Sequence, residues 1–326
     1  MTVIAPAKLI LSGEHAVVHG HPALGLALNY YTQVSIEPSV DHFILETASN
    51  KKFFSTQDIQ AIKKRIEEAY DQFLQGHCLI QSVLHNEDDL LLLTMSLLLQ
   101  SPLHIRVNSN IPMGCGMGSS ASVIVSLLYA MNVHYELALP KEKIFSLAHH
   151  AENKQHGRAS GFDLHVVLNG GGIYFHHQKI ESRQINPHSL WLVHTGVPKT
   201  TTGMAVMQTI PFFKNSTLGT DFASVTTLLD RAFKENNITL IKESIRLNHA
   251  LLKSLKVVPE KVSQFIEAIE ARGGAAKICG AGATAGDQAG IVLVLLEESA
   301  TLESLCEDYH YSCSPLQIDS KGVRSV

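Results

Sequence analysis

The chain has 326 residues, more than one small core needs and enough for two packed domains. Hydrophobic residues at 45% and charged residues at 17% exclude a disordered chain, and a formal net charge of −4 offers no attraction to nucleic acid or an anionic membrane. Five cysteines without CxxC spacing suit reduced thiols better than a disulfide framework, and MTVIAPAK lacks the basic region and apolar core of a secretory signal, so a cytoplasmic location is expected.

In chain order, residues 5–20, APAKLILSGEHAVVHG, put Lys8 in a short β-like run and Glu14 and His15 just after Gly13. Taken singly, a solvated lysine and a satisfied core histidine are the ordinary readings of such residues. Residues 90–99 are an apolar run of ten. That is too short to span a bilayer and reads as a buried helix. Leu103, Ile105 and Val107 alternate as in a strand, whereas Val123, Ile124, Leu127, Leu128 and Met131 recur at helical spacing.

Between that strand and that helix stands IPMGCGMGSSAS, residues 111–122, with Gly114, Gly116 and Gly118 alternating before Ser119 and Ser120. Glycines leading into a helix N-terminus let the main chain approach an anion, which unpaired N–H groups and the positive end of the helix dipole favour. No lysine follows as in a P-loop, and Ser119 stands where a dinucleotide fingerprint needs its third glycine. A strand-to-helix turn with nothing bound is the alternative on this loop alone. Cys115, inside the loop, reads as a small filler.

Residues 151–172, AENKQHGRASGFDLHVVLNGGG, follow a helix-like stretch containing Ile144, Leu147 and Ala148. Glu152 closes that stretch, and Asp163 comes eleven residues later, beyond a Gly/Ser loop. Spacing alone does not show whether the two carboxylates converge. Residues 176–188 are weakly patterned and end near a proline, which makes them the domain-boundary candidate, dividing the chain into 1–180 and 181–326. Beyond lie WLVHTGV as a strand, helices over 222–236, 238–254 and 259–272, a glycine loop, and a strand over 291–296. Strands and helices without strict alternation predict an α+β architecture. Adjacent histidine pairs and the lack of HExxH argue against a transition-metal site.

Three segments together, PAKLILSGEHAVVHG, PMGCGMGSS and HGRASGFD, resemble the GHMP kinases, named for galactokinase, homoserine kinase, mevalonate kinase and phosphomevalonate kinase. GEHAVVHG is most like the mevalonate kinase branch; the FDL after Gly161 leans toward phosphomevalonate kinases. The resemblance implies a two-domain fold, with a left-handed βαβ unit in the N-terminal domain and a ferredoxin-like C-terminal domain. It also implies an ATP- and Mg2+-dependent kinase acting on mevalonate, and a homodimer. By the same likeness Asp163 and Lys8 are catalytic. Pro112, Gly114, Gly116, Gly118, Ser119, Ser120, Gly280 and Gly282 bind the nucleotide, and Ser120 and Glu152 hold the metal. Glu14, His15, Lys199 and Thr201 face the acceptor, the last two lying in HTGVPKTTTGM, residues 194–204. The loop KICGAGATAGDQAG, residues 277–290, departs from the family pattern, because Ala283, Thr284 and Ala285 interrupt its glycines. A binding protein that has kept the cleft but lost turnover is the alternative from another class.

Overall fold

In the computed structural model, which describes residues 1–214 and 216–326, a long antiparallel pair of strands is the frame for everything else. These are β1 (Thr2–Ser12) and β2 (Ala23–Pro38). Next come β3 (Phe43–Thr47), β4 (Lys51–Phe54), α1 (Thr56–Leu74), α2 (Asp89–Ser96) and β5 (Leu103–Ser109). Then follow α3 (Ser119–His134), α4 (Lys141–His156), α5 (Phe162–Asn169), β6 (Gly172–His176), β7 (Lys179–Arg183) and β8 (Leu190–His194). The rest comprises α6 (Thr202–Phe213), α7 (Leu218–Lys234), α8 (Ile238–Ser254), α9 (Glu260–Glu270), β9 (Ala275–Ile278) and β10 (Ile291–Leu295). Helix α10 (Ser299–Tyr309), β11 (Ser312–Pro315) and β12 (Arg324–Ser325) close the chain.

Two sheets result. The first has eight strands in the order β12-β1-β2-β5-β3-β4, with β6 pairing the early part of β2 and β7 pairing β6; β3 and β5 are its parallel pair. The second is antiparallel with four strands, β11-β8-β10-β9. Helices and strands segregate as an α+β protein does.

One irregularity in β1 decides which way its side chains point. Pro6 cannot donate to the ladder and sits in an interior strand, where proline is tolerated at a bulge; the register with β2 shifts between Pro6 and Ala7. Before the shift Val3 and Ala5 pack with the helices α1 to α5, and after it Ala7, Leu9 and Leu11 pack instead against Leu192, Leu293 and Leu295 of the second sheet. Lys8 and Ile10 are thereby turned to the helical side, where Ile10 meets Phe162 and Val166 of α5.

The C-terminus returns to brace α5. Asp319 accepts hydrogen bonds from the N–H groups of Lys321 (2.9 Å) and Gly322 (2.8 Å) and from the Tyr31 hydroxyl (2.8 Å), while Val323 N–H donates to Val167 at 3.1 Å. The predicted helices and strands at 222–236, 238–254, 259–272 and 291–296 appear as α7, α8, α9 and β10. The weakly patterned stretch 176–188 contains β7, an edge strand with four of its five residues exposed and hence no alternation to detect. His176 and His177, one of the adjacent histidine pairs, stack with ring centroids 3.8 Å apart at the end of β6, where the chain turns and His177 has φ 50°. All five cysteines are free, and among the described residues no helix is long and apolar enough to cross a membrane.

Burial of His249 on α8 carries a consequence for stability. It is 6% exposed, neither ring nitrogen has a partner among the described residues, and burial, helped by the charges of Lys253 and Lys277, pushes its pKa down to about 4. The unfolded chain takes up this proton first, so the stability is complete above the ordinary value of 6.5 and is lost as pH falls toward 4. At 1.36 kcal/mol per unit the loss is on the order of 3 kcal/mol. Thermal unfolding of wild type is therefore expected to weaken more steeply between pH 7 and 4.5 than that of His249→Phe; parallel curves would show that the imidazole is not the source.

Candidate active site

The glycine loop follows β5 and ends at the first turn of α3. Gly114, Gly116 and Gly118 all have positive φ, at 72°, 81° and 69°, conformations that a Cβ penalises. Their surroundings separate their tasks. A side chain at Gly116 would meet the Cys279 carbonyl at 2.7 Å, and one at Gly280 would meet Gly116 Cα at 3.0 Å, so the loop and its counterpart after β9 touch backbone to backbone. At Gly118 the obstacle would be Lys8 itself, whose Cγ lies 2.5 Å from the Cβ position. Gly114 faces only Val197, at 3.4 Å.

Lys8 is fixed from both ends. Its N–H donates to the Met117 carbonyl at 2.9 Å, its methylenes cross Gly118, and its Nζ pairs with Asp163 Oδ2 at 2.8 Å. Lys8 is 4% exposed. Beyond the Gly/Ser loop Asp163 occupies the first turn of α5, where the helix dipole favours a carboxylate. The HGRASG segment makes the sharp reversal between α4 and α5. Gly157 and Gly161 take positive φ, Tyr70 donates to the Gly157 carbonyl at 2.7 Å, and Ala159 N–H donates to Asn153 Oδ1 at 2.8 Å.

That reversal brings Glu152 of α4 to the same place. Its carboxyl is 3% exposed, and burial, then the nearby Asp163 charge, pushes its pKa up to about 8 against the pull of Lys8. Ser120, in the first turn of α3, lies 3.3 Å from His156 Nε2, and burial holds that imidazole below its ordinary value. His156 was not singled out from the sequence, although it begins the quoted HGRASGFD string. The cluster thus holds two carboxylates, one lysine, one hydroxyl and one histidine beside a helix N-terminus.

Glu14 and His15 are turned inward. Glu14 is 1% exposed and forms an ion pair with fully buried Lys277 of β9. His15, with φ 59°, has Nε2 3.1 Å from the Ala281 carbonyl and Nδ1 3.0 Å from the Thr209 hydroxyl. Burial lowers its pKa to about 4, so the ring is neutral and Nε2 donates to the carbonyl, while Nδ1 lies against the Thr209 hydroxyl, whose one proton also has the Val206 carbonyl at 2.8 Å as an acceptor. Gly282 packs on the Val257 carbonyl, and Ala283 N–H donates to that carbonyl at 2.8 Å. Lys199 and Thr201 are exposed. Lys199 passes Gly286, whose Cβ would lie 3.1 Å from its Cδ, and Thr201 caps α6 by accepting from Met204 N–H at 3.4 Å. Pro112 and Ser119 are half-buried at the two ends of the loop. Cys115 is buried behind the loop with Sγ 3.1 Å from His194 Nε2, in keeping with a filler.

The sequence matches the GHMP kinases N terminal domain over residues 83–171 and the GHMP kinases C terminal domain over residues 230–286. The chain carries both GHMP kinase domains. It is 28% identical over 287 residues to a mevalonate kinase of Archaeoglobus fulgidus, covering 86% of this chain and 89% of that relative. The solved mevalonate kinase of Methanococcus jannaschii superposes with a TM-score of 0.77 at 20% identity, over 98% of both chains. Lactococcus lactis galactokinase, solved with galactose, superposes at 0.80 with 15% identity, over 100% of this chain and 95% of that one. Shape therefore establishes the two-domain GHMP kinase fold without choosing among acceptors.

The crossing of Lys8 over Gly118 is open to direct test. Gly118→Ala and Gly114→Ala both incur the roughly 1–2 kcal/mol of a left-handed residue, but only the first places a methyl group on Lys8. A crystal structure of Gly118→Ala is expected to show the Lys8–Asp163 contact broken, and that of Gly114→Ala to show it kept. An unchanged 2.8 Å contact in Gly118→Ala would disprove the steric account.

Proposed function

We propose that the protein is a mevalonate kinase, transferring the γ-phosphoryl group of ATP to the primary hydroxyl of mevalonate to give 5-phosphomevalonate in isoprenoid precursor synthesis. The observation that carries the chemistry is the meeting of Lys8, Asp163, Glu152 and Ser120 at the N-terminus of α3. The choice of acceptor rests on the GEHAVVHG text and on the likeness to relatives named mevalonate kinase along 85% or more of this chain.

In this reading the N–H groups of the Gly114–Gly118 loop, entered at Pro112 and continued through Ser119 and Ser120, hold the triphosphate at the positive end of α3. Gly280, in backbone contact with Gly116, closes the loop from the other side, with Gly282 shaping the turn behind it. Ser120 and Glu152 hold Mg2+. They suit it: both present hard oxygens, and Glu152 is a buried carboxyl beside a like charge, a position that a cation relieves. Bound there, the ion would neutralise charge on the phosphates. Asp163 orients the attacking hydroxyl and accepts its proton late, and Lys8 holds that carboxylate in place while adding positive charge to the site. A loose transition state demands little more of the protein than such positioning. Glu14, His15, Lys199 and Thr201 serve the acceptor. Family likeness also supports a homodimer, a cytoplasmic location, and a division of the chain into residues 1–180 and 181–326.

A coupled ADP-release assay with mevalonate, phosphomevalonate, galactose and homoserine decides the acceptor; activity on mevalonate is expected, and robust turnover of another compound alone would replace it. Asp163→Asn is expected to lower kcat at least about a hundredfold, the lower end of general acid–base contributions, with the folded state intact by circular dichroism. Near-normal turnover would remove Asp163 from its role.

A further inference from the structure

Lys277 lies in the apolar strand β9 and is completely buried. Its ammonium has three donors, and all three are used internally: on Glu14 Oε1, on the Ile10 carbonyl at 3.4 Å and on Cys279 Sγ at 3.9 Å. None is left for a ligand. Glu14 differs, since Oε2 is buried without a partner among the described residues. Replacing a buried ion pair with apolar side chains is often neutral or stabilising, so stability is a weak reason for this pair to exist. Glu14 follows β1, the strand that carries Lys8, by two residues, and the charge of Lys8 is felt at its carboxyl as the smallest of the influences on it.

We propose that Lys277 is a positioning residue for the acceptor: it holds Glu14 by Oε1 and so presents Oε2, otherwise unpartnered, to a hydroxyl group of the alcohol substrate. This deepens the kinase reading and rests on it. Lys277 joins the second sheet to the segment after β1, 263 positions away in sequence, so the acceptor subsite is complete only when the two sheets are docked.

Steady-state kinetics of wild type, Lys277→Met, Glu14→Gln and the double variant test the assignment. A hydrogen bond to a charged group corresponds to about a 10- to 100-fold effect, so Lys277→Met and Glu14→Gln are each expected to raise the acceptor KM by at least about tenfold, with the ATP KM within about twofold of wild type. Because Lys277 acts only through Glu14, the double variant is expected to be no worse than Glu14→Gln alone. An unchanged acceptor KM in Lys277→Met, or a double variant that loses the product of the two single effects, overturns the proposal.

A pH series tests the Glu14 contact on which the proposal depends even if Lys277→Met does not fold. Burial pushes the Glu14 carboxyl above its ordinary value against the pull of Lys277 and Lys8; His15 beside it, Cys279 just after β9 and His249 on α8 are the other titratable groups around the pair. Wild-type acceptor KM is expected to rise as pH falls toward 5, and Glu14→Gln is expected to lose that dependence. A flat wild-type profile, or an unaltered slope in Glu14→Gln, contradicts the role. Should wild type turn over an acceptor other than mevalonate, the same comparisons are made with that acceptor, so failure of the acceptor assignment and failure of the Lys277 assignment are read separately.

Discussion

The ion pair between Lys8 and Asp163 depends on a lysine that crosses a glycine loop, and most of the surrounding structure serves that crossing. The bulge at Pro6 and Ala7 turns Lys8 toward the helices, and the Met117 carbonyl fixes its backbone. Gly118 has no side chain to block it. On the other side, two positive-φ glycines reverse the chain so that α5 presents Asp163 from its first turn. The C-terminal return through Asp319 and Val323 holds the far end of that short helix. The glycines of the loop thus differ in their surroundings: Gly114 faces only Val197, Gly116 admits the opposite loop, and Gly118 admits the lysine.

Electrostatically the site is short of positive charge. Two carboxylates share one lysine, and Glu152, the more deeply buried, has its carboxyl raised to about 8. A helix N-terminus stands beside them. Such a place favours a ligand bringing both a cation and an anion, as a metal-bound polyphosphate does. The site also belongs to neither half of the chain alone. Glu14 with Lys277, His15 with Ala281, and Gly116 with Gly280 are each contacts between loops of the first sheet and β9 or the loop that follows it in the second.

The glycine loop was legible because its signal is local: a strand, three glycines and a helix lie within about thirty residues, and their order carries the anion-binding logic. Helices α7, α8 and α9 were legible for the same reason, through one apolar face each. The meeting of Glu152 and Asp163 was not, since it depends on the angle between α4 and α5, which two glycines and Asn153 set and which no spacing rule encodes. Lys277 was harder still. A lone lysine in a short apolar strand reads as an edge residue, and its partner lies at the opposite end of the chain. His156 was present in a quoted motif but had no chemistry assigned until Ser120 was found beside it. Strand β7 escaped because an exposed edge strand has no buried face to leave a period in the sequence.

The most direct test of the central claim, that Lys8 and Asp163 act as one unit, is a double-mutant cycle on kcat/KM with Lys8→Met and Asp163→Asn. Residues that work as a unit give strongly non-additive losses, so the double variant is predicted to fall within about threefold of the worse single variant. A double variant whose loss equals the product of the two single losses would contradict the account.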